Sequence, residues 1–378
     1  VSFASLCEFP QSWCHPAIWV LLLPLICFAA AATIFAVCRE GTLREVHAMS
    51  GKLRIGFIAA GGIAPGHWHR IHETKKACVT ALTDPSKKSL AVFYQRCPGS
   101  ESLPAYRDYR AMLANEQLDG VVVQSPHTVH YEQTAASLKK GLHVLSEKPL
   151  TCTVQHAKSL IALAKKVNRV LMISYQRHYM PEFRYIREQI AKGAIGEVQF
   201  VQAVQSQEWL RAVKGTWRQK LAESGGGQIN DSGSHLVDIL MWLTGLRIAE
   251  VYADMENFST EVDINSTLAM KFSNGALGSV AIVGNAPTFH EDVTVVGSKG
   301  AFYLRHGQSL LRQDAMGRPV KVVLPKYKKN PDANFIDVIL GKDEPQTPPV
   351  CGLRVIEVTE AAWKSAKTGK IVKVKTSG

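Results

Sequence analysis

Leu53-Arg54-Ile55-Gly56-Phe57-Ile58, followed at once by Ala59-Ala60-Gly61-Gly62-Ile63-Ala64, is the stretch on which the fold turns. An apolar strand runs into a glycine-bearing turn, and a helix-like segment follows. Glycines between a strand and a helix let backbone amides approach a pyrophosphate, which the positive end of the helix favours. A second strand, Cys78-Val79-Thr80-Ala81-Leu82-Thr83, ends in Asp84. An acid about 20 residues beyond the turn can accept hydrogen bonds from an adenosine ribose. The turn reads G-x-G-x-x-A with Ala59 in the first glycine's place, so it must tolerate a methyl group. Ala59, Gly61, Gly62, Ile63, Ala64 and Asp84 are therefore the expected dinucleotide contacts. The charge of Asp84 repels a 2′-phosphate, whereas Ser86, Lys87 and Lys88 would welcome one. The reading leans to NAD, with NADP as the alternative.

Outward from this turn the pattern repeats. Leu118 to Gln124 is a buried-type strand ending in Ser125-Pro126-His127-Thr128-Val129-His130. A helical stretch from Tyr131 to Lys140 stops at Gly141, and a short strand, Val144-Leu145, runs into Ser146-Glu147-Lys148-Pro149. Alternating strands and helices predict a parallel sheet covered on both faces. Ligands bind beyond the carboxyl ends of such strands, which places Lys148 where a cofactor and a substrate meet. A cis bond at Pro149 would aim the lysine inward. Ser125, Pro126, His130 and Glu147 join the candidate cofactor contacts. His130 reads equally well as a structural residue at a helix start, and an isolated E-K-P as a polar turn.

After Leu150 a helix is expected to about Val167, then a strand from Val170 to Tyr175. Further on, Glu223-Ser224-Gly225-Gly226-Gly227-Gln228-Ile229-Asn230-Asp231-Ser232-Gly233-Ser234-His235 leads into an apolar helix, Leu236 to Leu243. At a spacing of four, Asp231 and His235 share a face if the turn is helical throughout. Asp231 or Ser232 serves equally as a helix cap. A metal site would need further ligands, and none is obvious nearby, so none is expected. Beyond this, five strands alternate with turns such as Ser273-Asn274-Gly275. They predict a mixed or antiparallel sheet with one face open to burial in a homo-oligomer. A last helix is expected over about Val355 to Ala366.

With 378 residues the chain has room for two domains, and 46% apolar with 20% charged residues is ordinary for a globular protein. The formal charge of +12 is scattered over singles and pairs such as Lys139-Lys140, without a basic stripe carrying interleaved aromatics. No nucleic-acid partner is expected. Residues 1–48 differ from the rest. Ala17 to Val37 is uncharged, apolar and about long enough to cross a bilayer. No Lys or Arg precedes it, while Arg39, Arg44, Lys52 and Arg54 follow, a bias that would keep the next domain cytoplasmic. A dispensable or adventitious extension before Met49 is the expectation, and a membrane anchor the alternative. The predicted organisation is thus an extension (1–48), a nucleotide-binding domain (49–172) and an α+β domain for substrate and oligomerisation (173–378), its last helix packing back on the first. The cysteines form no C-x-x-C pair and read as reduced structural thiols.

In order and spacing these motifs resemble the glucose–fructose oxidoreductase, inositol dehydrogenase and rhizopine-catabolism (GFO/IDH/MocA) family. The resemblance runs from about Lys52 to the C-terminus. It rests on R-I-G-F-I-A-A-G-G-I-A, the Asp84 strand end, S-P-H-T-V-H, G-L-H-V-L-S-E-K-P-L, Gly193 to Glu197, Trp217-Arg218, G-G-G-Q-I-N-D-S-G-S-H and S-A-K-T-G-K. It implies an α/β fold: an N-terminal Rossmann doubly wound parallel sheet and a C-terminal α+β domain with a large mixed or antiparallel sheet. It implies an NAD(P)-dependent oxidoreductase moving hydride between nicotinamide and a secondary hydroxyl of a small sugar, polyol or related cyclic substrate. In that family pattern Lys148 touches the nicotinamide ribose and the reacting hydroxyl, Asp231 binds substrate, and His235 is the general acid/base. The chemistry agrees, since imidazole titrates near neutrality and an ammonium steadies alkoxide charge. Two departures stand out. Ala59 replaces a glycine, and Gln176-Arg177-His178-Tyr179 stands where relatives often carry Arg-Phe. Arg177, Trp217 and Arg218 are candidate substrate contacts, with Trp209 beside them. The same family contains glycosidases that use NAD transiently, and a non-catalytic cofactor-binding regulator is the third reading.

Overall fold

The computed structural model describes residues 51–306 and 309–375, so the apolar run of residues 17–37 lies outside the described residues. Among those described, no helix is long and apolar enough to cross a membrane. The chain from Leu53 onward forms one compact unit.

Its first part alternates β1 (Leu53–Ile58), α1 (Ala64–Glu73), β2 (Ala77–Thr83), α2 (Lys87–Arg96), β3 (Ala105–Tyr106), α3 (Tyr109–Asn115), β4 (Gly120–Val123), α4 (His130–Lys139), β5 (His143–Ser146), α5 (Val154–Lys166) and β6 (Leu171–Ile173). The six strands lie in the order β3-β2-β1-β4-β5-β6, all parallel. This is the doubly wound dinucleotide-binding order, whose ligand crevice opens beside β1 and β4, where the winding reverses. Val121, Val122 and Val123 are all fully buried, as a strand covered on both faces requires.

The second part runs α6 (Pro181–Ala191), β7 (Val198–Glu208), α7 (Trp209–Ala212), α8 (Leu221–Ser224), α9 (Gly233–Thr244), then β8 (Ile248–Glu256), β9 (Asn265–Phe272), β10 (Leu277–Val283), β11 (Asn285–Gly297), β12 (Gly300–Arg305), β13 (Ser309–Asp314) and β14 (Pro319–Val320). Helices α10 (Pro331–Ile339) and α11 (Pro349–Thr368) and strand β15 (Val372–Lys373) close the chain. The strands form one nine-stranded mixed sheet in which only β7 and β10 pair in parallel. One face is apolar and carries α9, with Leu236, Ile239 and Leu240 fully buried, while β9 alternates buried and exposed residues.

Among the elements that differ from the sequence expectation, three bear most on the architecture. β7 passes unnoticed in V-Q-F-V-Q-A-V-Q-S-Q-E because its glutamines dilute the apolar period, although it is the pivot between both halves of the sheet. α10 is likewise missed, yet Asn330 accepts a bond from the Ala333 amide at 2.9 Å and Pro331 opens the first turn, a regular helix start. The last helix begins at Pro349, about one and a half turns before the expected point. Both closing helices return to the parallel sheet. Phe335 and Ile336 of α10 complete the core with Ile55, Phe57 and Leu145, and α11 packs on α5 and β6. Chain order and spatial domain therefore part company after residue 330.

Candidate active site

The β1–α1 turn is held open by its neighbours. Asp84 accepts the Ala60 amide on one carboxylate oxygen (2.9 Å) and the Ser86 amide on the other (2.8 Å), and Gln124 Nε2 donates to the Ala59 carbonyl at 2.8 Å. Ala59 sits at φ +77°, the left-handed region a glycine would enter without cost. A Cβ added at Gly61 or Gly62 would meet nothing within 4 Å. The backbone there lines open space at the start of α1, as a pyrophosphate cradle needs. Ile63 is the half-turned residue before α1 and is exposed, and Ala64 is buried beneath it.

The remaining cofactor candidates divide. Ser125 donates its hydroxyl to Gln133, and Pro126 opens a short 3-10 turn over His127–Val129. His130 is wholly buried, with Nδ1 2.8 Å from the Pro149 carbonyl and Nε2 2.9 Å from that of Ser125. It ties the β4 loop to the lysine turn and presents no ring edge to the crevice. Glu147 also faces inward: its carboxylate meets His67 Nε2 at 3.1 Å, and His67 Nδ1 meets Asp332 at 2.6 Å. Arg70 Nε caps the same Asp332 at 2.5 Å. Burial opposes charge on His67, yet Asp332 and Glu147 raise it from 6.5 to about 9, while Glu147 is held down at about 2 against its own burial. This network fastens α10, α1 and the end of β5 together. It fixes the turn from which Lys148 projects, across a cis Lys148–Pro149 bond.

Lys148 Nζ reaches out of the parallel sheet to Asp231 Oδ1 at 2.5 Å. Asp231 also receives Arg218 Nε and Trp209 Nε1 on Oδ2, each at 3.0 Å, and His127 Nε2 lies 3.7 Å from Oδ1. Burial would raise this acid, but Lys148 and Arg218 hold its carboxyl far below the usual range. Ser232 occupies the cap position of α9, as the helix-start reading allowed, but neither its side chain nor that of Asp231 caps the helix. Helix α9 starts with no side-chain cap, the Asp231 carboxylate is engaged by other side chains, and Ser232 Oγ accepts from Gln207 at 2.5 Å. Asp231 lies in the turn before α9, so the continuous helical face expected for Asp231 and His235 does not form.

Two of the preceding glycines explain how the turn reaches Lys148. Gly225 ends α8 at φ +65°, and a Cβ at Gly227 would lie 2.0 Å from the Asp263 carbonyl. Asp263 in turn accepts the Gly227 amide at 3.0 Å and the Ile229 amide at 2.8 Å. Its role was invisible in the sequence, because it lies 36 residues beyond the glycine.

His235 stands edge-on to Tyr175, ring centres 5.6 Å apart. Its Nδ1 is buried without a partner, and among the described residues its ring makes no hydrogen bond. Burial, then Arg177 and Lys148, push its pKa well below 6.5, so it is neutral at pH 7. Arg177 is clamped by both oxygens of Glu291, which also accepts from Gln205 at 3.0 Å. Trp217 packs edge-on against His127 at 4.7 Å and lies under the Arg218 guanidinium at 4.5 Å. The sequence offers no local signal that sets His127 apart from His130 in the same loop. Its Nδ1 faces the Ser224 carbonyl at 3.1 Å, and burial pushes it down to about 3, leaving Nε2 an acceptor beside Asp231.

Two family models match this chain. One, described as an oxidoreductase family with an NAD-binding Rossmann fold, covers residues 53–175, and the other, the GFO/IDH/MocA C-terminal domain, covers residues 183–303. The chain belongs to the GFO/IDH/MocA family. Within the family it is similar to the rhizopine catabolism protein MocA of Rhizobium meliloti, 27% identical over 51% of this chain and 58% of that protein. It is also similar to the D-glucoside 3-dehydrogenase of Escherichia coli, 29% identical over 52% of this chain and 55% of that one. The alignments thus span little more than half the length of these curated relatives. A levoglucosan dehydrogenase solved with NADH shares the fold, with TM-score 0.77 and 19% identity over 86% of this chain and 100% of that one.

Proposed function

We propose that this family member is an NAD-dependent dehydrogenase acting on a secondary hydroxyl of a sugar, polyol or related cyclic compound. The observation that carries the reading is the Lys148–Asp231 contact. It joins the carboxyl end of the parallel sheet to the glycine-rich turn of the second sheet, beside a neutral, unpartnered histidine. Gly61 and Gly62 supply the space for a pyrophosphate, and Asp84, buttressed by two amides, the acceptor for a ribose. When bound, the nicotinamide exchanges a hydride with carbon. The other steps fall to the chain. Lys148 places its ammonium at the substrate oxygen and steadies negative charge there. His235, uncharged, takes the hydroxyl proton. Asp231 and Arg218 orient the ring hydroxyls, Trp217 walls the cleft, and His127 Nε2 accepts from a neighbouring hydroxyl. The names of the two relatives, a glucoside dehydrogenase and a rhizopine catabolism protein, support this substrate class.

The open face of the nine-stranded sheet supports self-association. Phe200, Tyr252, Leu277 and Leu311 are exposed on its strands, a patch that a second copy would cover. Light scattering on the purified chain tests this, and a monomer at micromolar concentration would refute it.

The decisive test follows nicotinamide absorbance against a panel of sugars, inositols and sugar acids with NAD and NADP. Reduction with NAD by at least one cyclic polyol is expected. Preference for NADP would overturn the Asp84 argument, and aglycone release without reduced nicotinamide would favour the glycosidase chemistry.

A further inference from the structure

A cavity of about 530 Å³ lies between α6, the end of α9 and the start of α11, and none of Lys148, Asp231 and His235 lines it. Tyr175 has the ring of His235 5.6 Å away and that of His178 6.2 Å away, and His178 in turn meets Asp238 of the cavity wall. The wall is cationic. Arg184 and Arg187 from α6 and Arg354 from α11 line it together. Among the described residues none of the three pairs with a carboxylate, which is unusual where three guanidiniums share one hollow. Arg184 is held by the His178 carbonyl (3.1 Å) and stacks on Tyr327 at 3.8 Å. Arg187 lies over Trp242 at 4.5 Å and donates to that residue's carbonyl. Arg354 has no such support, and its Nε is buried without a partner.

Two acids also line the cavity. Asp238 is hydrogen-bonded to His178, 2.7 Å away, and Glu188 is exposed at the rim and, among the described residues, reaches no guanidinium. His178, Asp238 and Cys351 bring donor atoms within 4.8 Å of one another, a spacing a metal ion could use. Three neighbouring guanidiniums repel a cation there, and His178 and Asp238 already satisfy each other. The same charges attract an anion. Arg187 is depressed by its partial burial and by Arg184 and Arg354, a mutual repulsion that an anion would relieve.

We propose that this cavity binds a small polyanion, a metabolite carrying two or more phosphate or carboxylate groups, at a site separate from the catalytic cleft. The planar forks of Arg184 and Arg354 bind such oxyanions bidentately, and the exposed Arg187 steers them in.

Calorimetric titration of the full chain with inorganic pyrophosphate and with citrate, at constant ionic strength, tests the site. Wild type is expected to bind at least one of them and to melt at a higher temperature in its presence. Stronger binding of pyrophosphate marks a phosphorylated ligand, stronger binding of citrate a carboxylated one. Arg354→Gln, which breaks no hydrogen bond among the described residues, is expected to weaken binding about tenfold or more, the usual loss for a charge-assisted contact. Lys148→Met and Gly62→Val, which alter the cleft and the glycine-rich turn, are expected to leave it unchanged. No binding of either anion, equal binding by Arg354→Gln, or loss in the Lys148 or Gly62 variant would overturn the proposal.

Discussion

Raising the pH should loosen the anchor of the lysine turn, and the size of the effect follows from the His67 network. His67 is wholly buried between Asp332 and Glu147, and its pKa rises from 6.5 to about 9 on folding. The folded chain therefore holds a proton that the unfolded chain releases anywhere between those values. Stability from this group is fully present below pH 6.5 and is lost as pH climbs through about 9. At about 1.4 kcal/mol per pH unit, the rise amounts to about 3 kcal/mol. Glu147 works in the opposite direction. Its depressed pKa of about 2 stabilises above the unfolded carboxylate range, and that contribution is lost as pH falls toward 2. Urea unfolding of wild type and His67→Gln at pH 6.5 and 9.5 isolates the term. Glutamine keeps a polar side chain but cannot titrate. Wild type should lose about 3 kcal/mol more than the variant between the two conditions. Parallel losses in both proteins would refute an imidazolium between the two acids, and with it the account of how the Lys148 turn is fixed.

Three further outcomes are expected. Ala59→Gly should stabilise the chain by about 0.5 kcal/mol, because the left-handed penalty on alanine, about 1–2 kcal/mol, exceeds the entropy glycine adds to the unfolded state. A lower melting temperature would show that the strain at Ala59 is not real. His235→Gln should lower kcat by about 10²-fold or more at unchanged melting temperature, the usual loss of a general base. Since His235 is held below 6.5, the acid limb of kcat/KM should lie below pH 6.5, activity falling as pH drops through it and His235 gains a proton. A limb above pH 7 would assign the base elsewhere. Gly62→Val should abolish dinucleotide binding, read by fluorescence titration, without lowering the melting temperature, because its side chain enters open space.

Local pattern carried much of the fold. The β1 turn, Asp84 and the E-K-P strand end are each contiguous, and a buried parallel strand such as Val121–Val123 is written as an apolar run. The family motifs named Lys148, Asp231 and His235. What they could not reveal was which neighbouring groups engage them. Glu147 and His130 sit inside the family-like motifs yet are consumed by His67 and by backbone carbonyls, while His127, two residues into the same loop as His130, faces Asp231. Asp263, Glu291 and Asp332 carry no local signature at all. Each meets its partner across 36, 114 or 265 residues.

The alternation of strands and helices, the glycine-rich turn and the residue types that chemistry requires are written locally, because each depends on neighbours a few positions apart. Which groups engage those residues follows from tertiary structure alone. Chain reversal brings α10 and α11 back onto the first sheet and threads the glycine loop under Asp263, and only then does Asp231 meet Lys148. There Lys148 and its neighbours hold the Asp231 carboxyl far below its usual range, against its own burial. Packing turns Asp231 from a plausible helix cap into the centre of a cationic cluster.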